Sequence, residues 1–251
     1  MFLRTESFSE FIRYYKVVTT LVAIHIILYI WMDYFPLLGG RNIYLFGVGS
    51  NLNITMGEYW RLLTPIFLHG SLMHMLFNSF SLILFGPALE QMLGKTRFIA
   101  AYLGAGVLAN IATYFVGSPT LLHLGASGAI YGLFGIYLYI VLFRPQLMDR
   151  GNSQLILTIL IIGVVMTFLN PRGNINILGH VFGLIAGAAI APLVLFKVNP
   201  YSRYNRAANS NEISFDPYRW QKKAKNKKRI QTIAIAVGAL LLLLFLIQFL
   251  L

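Results

Sequence analysis

The stretch HLGASGAIYG, residues 123–132, sets a serine among small residues where a long apolar run begins. Ser127 is either a small residue that lets helices touch or a nucleophile. A hydroxyl is a poor nucleophile until an adjacent base takes its proton. A carboxylate commonly orients that base, yet no Asp or Glu occurs between Glu90 and Asp149. The partners of Ser127 must therefore come from other segments. One is GHVFGLIAG, residues 179–187, which carries His180; another is HGSLMHMLFN, residues 69–78, with His74 and Asn78. His74 and Asn78 are four apart and share a helix face, as do Ser127 and Tyr131. Gly128 and Gly132 form one small-residue seam, and Gly179, Gly183 and Gly187 form another. Such seams let helix backbones approach closely in lipid. A close crossing there brings a hydroxyl to an imidazole at about 2.6–3.2 Å.

Acyl transfer also needs donors aimed at a developing oxyanion. The Asn78 amide, the His74 ring and the Ser127 main-chain N–H are the candidates. Ser127 opens a helix, where amides lack intrahelical partners and the dipole favours negative charge. The acids are Glu6, Glu10, Asp33, Glu58, Glu90, Asp149, Glu212 and Asp216, and none falls in the external third of the second, fourth or sixth span. A serine enzyme here runs on a Ser–His dyad, with Tyr131 holding the His180 ring by packing. Taken singly, each feature has a plainer reading. Gly-Ala-Ser-Gly and the glycine repeats are packing devices. His25 reads as a hydrogen-bonded interhelical group, His69 as structural, holding the first loop, and His123 as interfacial. Glu90 reads as a hydrogen-bond acceptor at the cytoplasmic end of the second span.

The elements that must position these groups are membrane spans. Of the 251 residues, 57% are hydrophobic and 11% charged, against roughly 25% charged in a soluble domain. No cysteine is present, which excludes disulfides and thiolate metal sites. Seven apolar runs stand out: Val17–Met32, Pro65–Leu89, Phe98–Val116, Ser127–Phe143, Gln154–Leu169, Asn176–Phe196 and Ile230–Leu251. A spanning helix takes about 20 residues, so the first and fifth runs are short, and so is the fourth. At about 1.5 Å per residue it covers roughly 25 Å of a roughly 30 Å core. Its start then lies below the surface, in a water-accessible dip. The first run has no signal-like flanks and reads as a retained helix.

The net charge of +12 invites a nucleic-acid reading, but its distribution is topological. Of the 20 Lys and Arg residues, all but Arg41, Arg61 and Arg172 fall in segments on one side if the N-terminus is cytoplasmic. Lys/Arg bias sets orientation, giving N-in and C-out in a cell membrane. The run YRWQKKAKNKKR before the last apolar run is then a cytoplasmic anchor against anionic lipid. No basic stripe remains for nucleic acid. The segment from Asp33 to Thr64, rich in Tyr, Phe and Trp, suits the outer headgroup layer. The organisation expected is a cytoplasmic segment 1–16, a six-helix core 17–197, a basic linker 198–229 and a seventh helix 230–251.

The segments EYWRLLTPIFLHGSLMHMLFN, ALEQMLG, GASGAIYG and GHVFGLIAG together resemble the rhomboid intramembrane serine proteases, in that family's order, over roughly residues 15–197. The resemblance implies an all-α polytopic fold of six helices plus one. It implies Ser127 as nucleophile and His180 as general base and acid. It implies His74, Asn78 and the Ser127 N–H as the oxyanion hole. Tyr131 matches the aromatic that packs on the histidine, Trp60 and Arg61 the motif of the first loop, and Glu90 a structural acid. Gly125 and Gly183 fall inside the matching motifs as supporting positions. No metal or cofactor is implied, and the substrates are transmembrane proteins, cut near their external end. The chain has Ala126 where inactive relatives carry proline before the serine position. Two other classes stand beside this reading. One is a rhomboid-like protein that captures client helices without cutting them. The other is a proton-coupled transporter, which lacks a polar path to the cytoplasm.

Overall fold

The computed structural model describes residues 6–169 and 176–198. The chain divides into two compact units, one of residues 1–161 and 176–198, the other of 162–175 and 199–251. Everything below concerns the first unit, together with residues 162–169, the end of a helix that begins in it. The segment NPRGN, the basic linker beyond residue 198 and the seventh apolar run lie outside the described residues.

Six apolar helices are present in that order. They are α2 (Lys16–Tyr34), α5 (Leu72–Leu93), α6 (Lys95–Val116), α7 (Ser127–Phe143), α8 (Arg150–Leu169) and α9 (Ile177–Val194). Among the described residues five are long and apolar enough to cross a membrane, and α7 is the shorter sixth. α7 coincides with its predicted run at both ends. α5 does not: the apolar run begins at Pro65, but the helix begins at Leu72. Residues Thr64–Phe67 form a 3-10 turn and Leu68 is extended. The helix starts where Ser71 caps it, its hydroxyl accepting from the His74 N–H at 3.2 Å. Gly94, at φ +75°, separates α5 from α6. A short helix α1 (Phe8–Tyr14) precedes the first span, closed by a capping box of Ser7 and Glu10; periodicity in so short a segment gives no warning of it.

α7 is buried around most of its circumference, from Ala129 to Ile140, as expected of a helix apolar on every side. Its glycines face α9. A Cβ on Gly183 would overlap the Gly128 carbonyl, and one on Gly187 would overlap the Gly132 carbonyl. A Cβ on Gly128 would lie 3.3 Å from the Gly179 oxygen. In lipid no hydrophobic force pulls helices together, so this backbone contact is what joins them. At the other end of α5, the Glu90 carboxylate accepts from the Val17 and Val18 N–H groups at 3.0 and 2.9 Å. Those are first-turn amides of α2, which have no partner in their own helix. Glu90 thus caps one span from another.

The first loop is folded, containing α3 (Gly40–Gly47) and α4 (Asn51–Thr55). Its organising device is a set of side chains that satisfy the terminal carbonyls of α3. Arg61 donates to the Leu45 and Val48 oxygens at 2.9 and 2.7 Å, Trp60 Nε1 to Phe46 at 2.9 Å, and Thr64 to Gly47 at 2.7 Å. Helix C-termini leave these oxygens orphaned and favour a cation. Glu58 completes the set, 2.5 Å from Arg61 Nε. Arg61 is 2% exposed. Arg61→Ala is therefore expected to cost about 3 kcal/mol of stability by stranding buried carbonyls and a carboxylate. Reversible unfolding in mixed micelles reads it; a loss under about 1 kcal/mol, the scale of an exposed ion pair, would contradict this account.

A two-stranded antiparallel sheet joins this loop to the segment before α7: β1 (Gly49–Ser50) pairs with β2 (Leu122–His123), Gly49 opposite His123. Nothing in the apolar pattern announces strands of two residues. The His123 ring lies on Gly49, where a Cβ would come within 2.5 Å of Cε1 and Nε2. His123 is buried, because the loop covers it. Neither ring nitrogen has a protein partner, and burial pushes its pKa down to about 4. The unfolded chain then binds one more proton between about pH 6.5 and about 4, so stability falls as pH drops through that window. His123→Phe keeps a ring and removes the proton. It is expected to lose less stability on acidification, by up to about 1.4 kcal/mol per pH unit. Equal slopes for both proteins between about pH 6.5 and 5 would exclude this linkage.

Candidate active site

The segment leading to Ser127 is anchored step by step. The Leu121 oxygen accepts from the Asn51 N–H at 3.1 Å, and the Gly125 N–H donates to the Pro65 oxygen at 2.8 Å. The Ala126 N–H then points at His69 Nε2, 3.5 Å away. Gly125 has φ +130°, a conformation that L side chains rarely adopt. A Cβ there would also lie 2.6 Å from Cε1 and Nε2 of His74. Glycine is thus needed twice, for the turn and for the ring beside it. Ser127 is the first residue of α7, and the preceding Ala126 supplies no side-chain cap. The first-turn amides of α7 remain donors at the positive end of a helix dipole.

His180 stands in the first turn of α9. Asn176 caps that helix, accepting from the Gly179 N–H at 2.9 Å. The His180 ring stacks on Tyr131, with centroids 4.3 Å apart and planes at 11°. Tyr131 is one turn beyond Ser127 on the same face. The contact of Gly128 with Gly179 sets the two helix starts side by side. The imidazole therefore lies over the face of α7 that bears the serine. His74 enters from the start of α5, its ring against Gly125. Asn78, one turn later, is buried and donates one amide hydrogen to the His74 oxygen at 2.8 Å.

The structure thus brings Ser127, His180, Tyr131, His74, Asn78, Gly125 and Gly183 into one region. It sets Trp60 and Arg61 apart, in the first loop, and Glu90 at the far end of α5. His69 is structural, as its sequence reading has it, but it holds a different segment. Its ring meets the Ala126 N–H, so it holds the segment before the serine, while Arg61 holds the first loop. Burial, helped by neighbouring His25 and His74, pushes the His69 pKa down to about 2, so this ring stays neutral as an acceptor. Asn176, Thr64 and the Pro65 carbonyl join the site or its supports without having been expected there. Only Asn176, a capping residue type just before an apolar run, carries a local signal. An alcohol, an imidazole on the same face, and uncapped amides are the groups that acyl transfer requires.

Fold and site together define a polytopic all-α membrane protein with a cluster of polar groups at the starts of α5, α7 and α9. The comparisons give it a family. The Rhomboid domain family matches residues 56–197, and the chain belongs to it. It is 46% identical over 200 residues to the putative rhomboid protease YdcA of Bacillus subtilis (strain 168), covering 78% of this chain and 98% of that protein. It is 40% identical over 164 residues to rhomboid protease GluP of the same organism, covering 65% of this chain and 32% of that protein. With rhomboid-like protease 1 of Toxoplasma gondii it shares 31% identity over 168 residues, 65% of this chain and 57% of that one.

Proposed function

We propose that this protein is an intramembrane serine endopeptidase that hydrolyses peptide bonds in or near transmembrane helices of other membrane proteins. The observation that carries the proposal is the His180 ring stacked on Tyr131, over the face of α7 that begins with Ser127. His180 takes the proton from Ser127 Oγ as that oxygen bonds to the scissile carbonyl carbon. The carbonyl oxygen gains the negative charge and meets the Ser127 N–H, the second amide hydrogen of Asn78 and the His74 ring. When the C–N bond breaks, His180 returns the proton to the leaving amine. Water then attacks the acyl-enzyme with His180 again as base. Tyr131 does by stacking what a carboxylate does in a triad: it fixes the ring's orientation. Glu58 and Glu90 are committed to Arg61 and to the amides of α2.

A substrate helix hides its peptide bonds in its own hydrogen bonds and must unwind before cleavage. Helix-weakening residues in the substrate are expected to favour it. The placement is a cell membrane, N-terminus cytoplasmic, as the Lys/Arg bias supports. The test is labelling of the protein in liposomes by a fluorophosphonate, with the adduct mapped by peptide mass, alongside cleavage of a transmembrane reporter. An adduct on Ser127 with cleavage is expected. Protein that is folded yet neither labels nor cleaves would favour the non-cutting client-binding reading instead.

A further inference from the structure

Three imidazoles stand in a row behind the site. The His25 and His69 rings are 4.7 Å apart at 60°, and the His69 and His74 rings 5.1 Å apart at 76°. His25 sits halfway along the 19-residue α2 and is fully buried, and His69 is 1% exposed. The Tyr102 hydroxyl of α6 lies 3.5 Å from His25 Nε2. An imidazole in the middle of a span is costly, and leucine or phenylalanine fills such a place at less cost. Packing therefore does not account for His25.

We propose that His25 is a positioning residue for the oxyanion side of the reaction, acting through His69 on His74; this rests on the reading of Ser127 above. His69 touches both groups that flank the nucleophile: the Ala126 N–H meets its Nε2, and its ring abuts His74, which in turn lies against Gly125. A turn of the His69 ring moves both. Rotation about the terminal torsion of a histidine is soft, and His25 Nδ1 has no protein partner to lock it. The edge-to-face contact supplies the lock, since the positive edge of one ring prefers the negative face of the next. Tyr102 fixes the far end, itself stacked on Phe98 at 6.5 Å and 19°. The first span thereby reaches a site to which it contributes no reacting group.

The experiment uses the full chain in liposomes, with a transmembrane reporter and a fluorophosphonate. Labelling amplitude counts folded sites, and labelling rate reads the chemistry. His25→Leu is expected to lose about tenfold to a hundredfold in kcat and in labelling rate, with KM and amplitude unchanged. His25→Phe, which keeps a ring edge against His69, recovers part of the loss. In a His74→Ala background His25→Leu has no further effect, because the two act through one path. The proposal is overturned if His25→Leu keeps the wild-type rate, if its loss only tracks the amplitude, or if the same factor is lost without His74. Should His25→Leu yield little folded protein, the labelling rates of His25→Phe and His25→Met decide in the same way. Equal rates would end the proposal, and a faster Phe variant would uphold it. If the wild type itself fails to label, the serine reading falls; if it labels and His25→Leu labels equally fast, only the role of His25 falls.

Discussion

Ser127→Ala and His180→Ala are each expected to lower reporter cleavage by a factor on the order of 10^4 or more, leaving the folded yield intact. The size follows from the division of labour. In the proposed reaction the hydroxyl supplies the bond-forming atom, and the imidazole supplies the proton transfer without which that hydroxyl does not react. Each is useless without the other, so the double variant is expected to be no worse than either single one. What remains is the contribution of the donors at the start of α7 and of substrate binding. Stability changes little in Ser127→Ala, because only a hydroxyl on a partly exposed residue is removed. Initial rates at matched folded protein in liposomes decide the matter. Cleavage within about tenfold of wild type in Ser127→Ala would mean that another residue attacks.

Much of this site is visible in the residues themselves, and the reason is spacing. His74 with Asn78, Ser127 with Tyr131, and the glycines at fours all obey the helix period, so the faces they share follow from the order of residues alone. α7 matches its apolar run because Phe143 is followed by Arg144 and Pro145, and Gly125, at φ +130°, breaks the chain just before Ser127. The start of α5 departs from its run for the converse reason. Pro65, Ile66, Phe67 and Leu68 are apolar, yet they serve a turn whose Pro65 carbonyl holds Gly125. Hydropathy cannot separate a buried turn from a buried helix; the proline and the Gly70–Ser71 pair are the better signals. The tertiary capping of α3 by Trp60, Arg61 and Thr64, and of α2 by Glu90, joins residues far apart in the chain, so no local pattern encodes it. The two-residue strands and the row of imidazoles belong to the same class. Only the fold puts His25 beside His69.

The glycine seam gives the second large effect. Gly183→Ala adds one methyl group, and ordinarily alanine favours a helix over glycine by up to about 1 kcal/mol. Here that methyl would overlap the Gly128 carbonyl. The neighbour is backbone inside another helix, so it cannot swing aside as a flexible side chain does. α7 and α9 must separate, which removes their contact along the seam, including Gly187 against Gly132. The expected cost exceeds about 4 kcal/mol, in the range that marks overpacking against an unyielding wall. Activity goes with it even in the protein that stays folded. His180 is three residues before Gly183 and Ser127 one before Gly128, so parting the helices parts the Ser127 alcohol from its proposed base. Gly104→Ala is the matched control. It lies on α6, where a Cβ would meet nothing within 4 Å, and it should be neutral or stabilising by up to about 1 kcal/mol. Unfolding curves and labelling rates for the pair separate helix propensity from contact. If Gly183→Ala is as stable and as reactive as Gly104→Ala, then the backbone seam does not set the distance on which the serine chemistry depends.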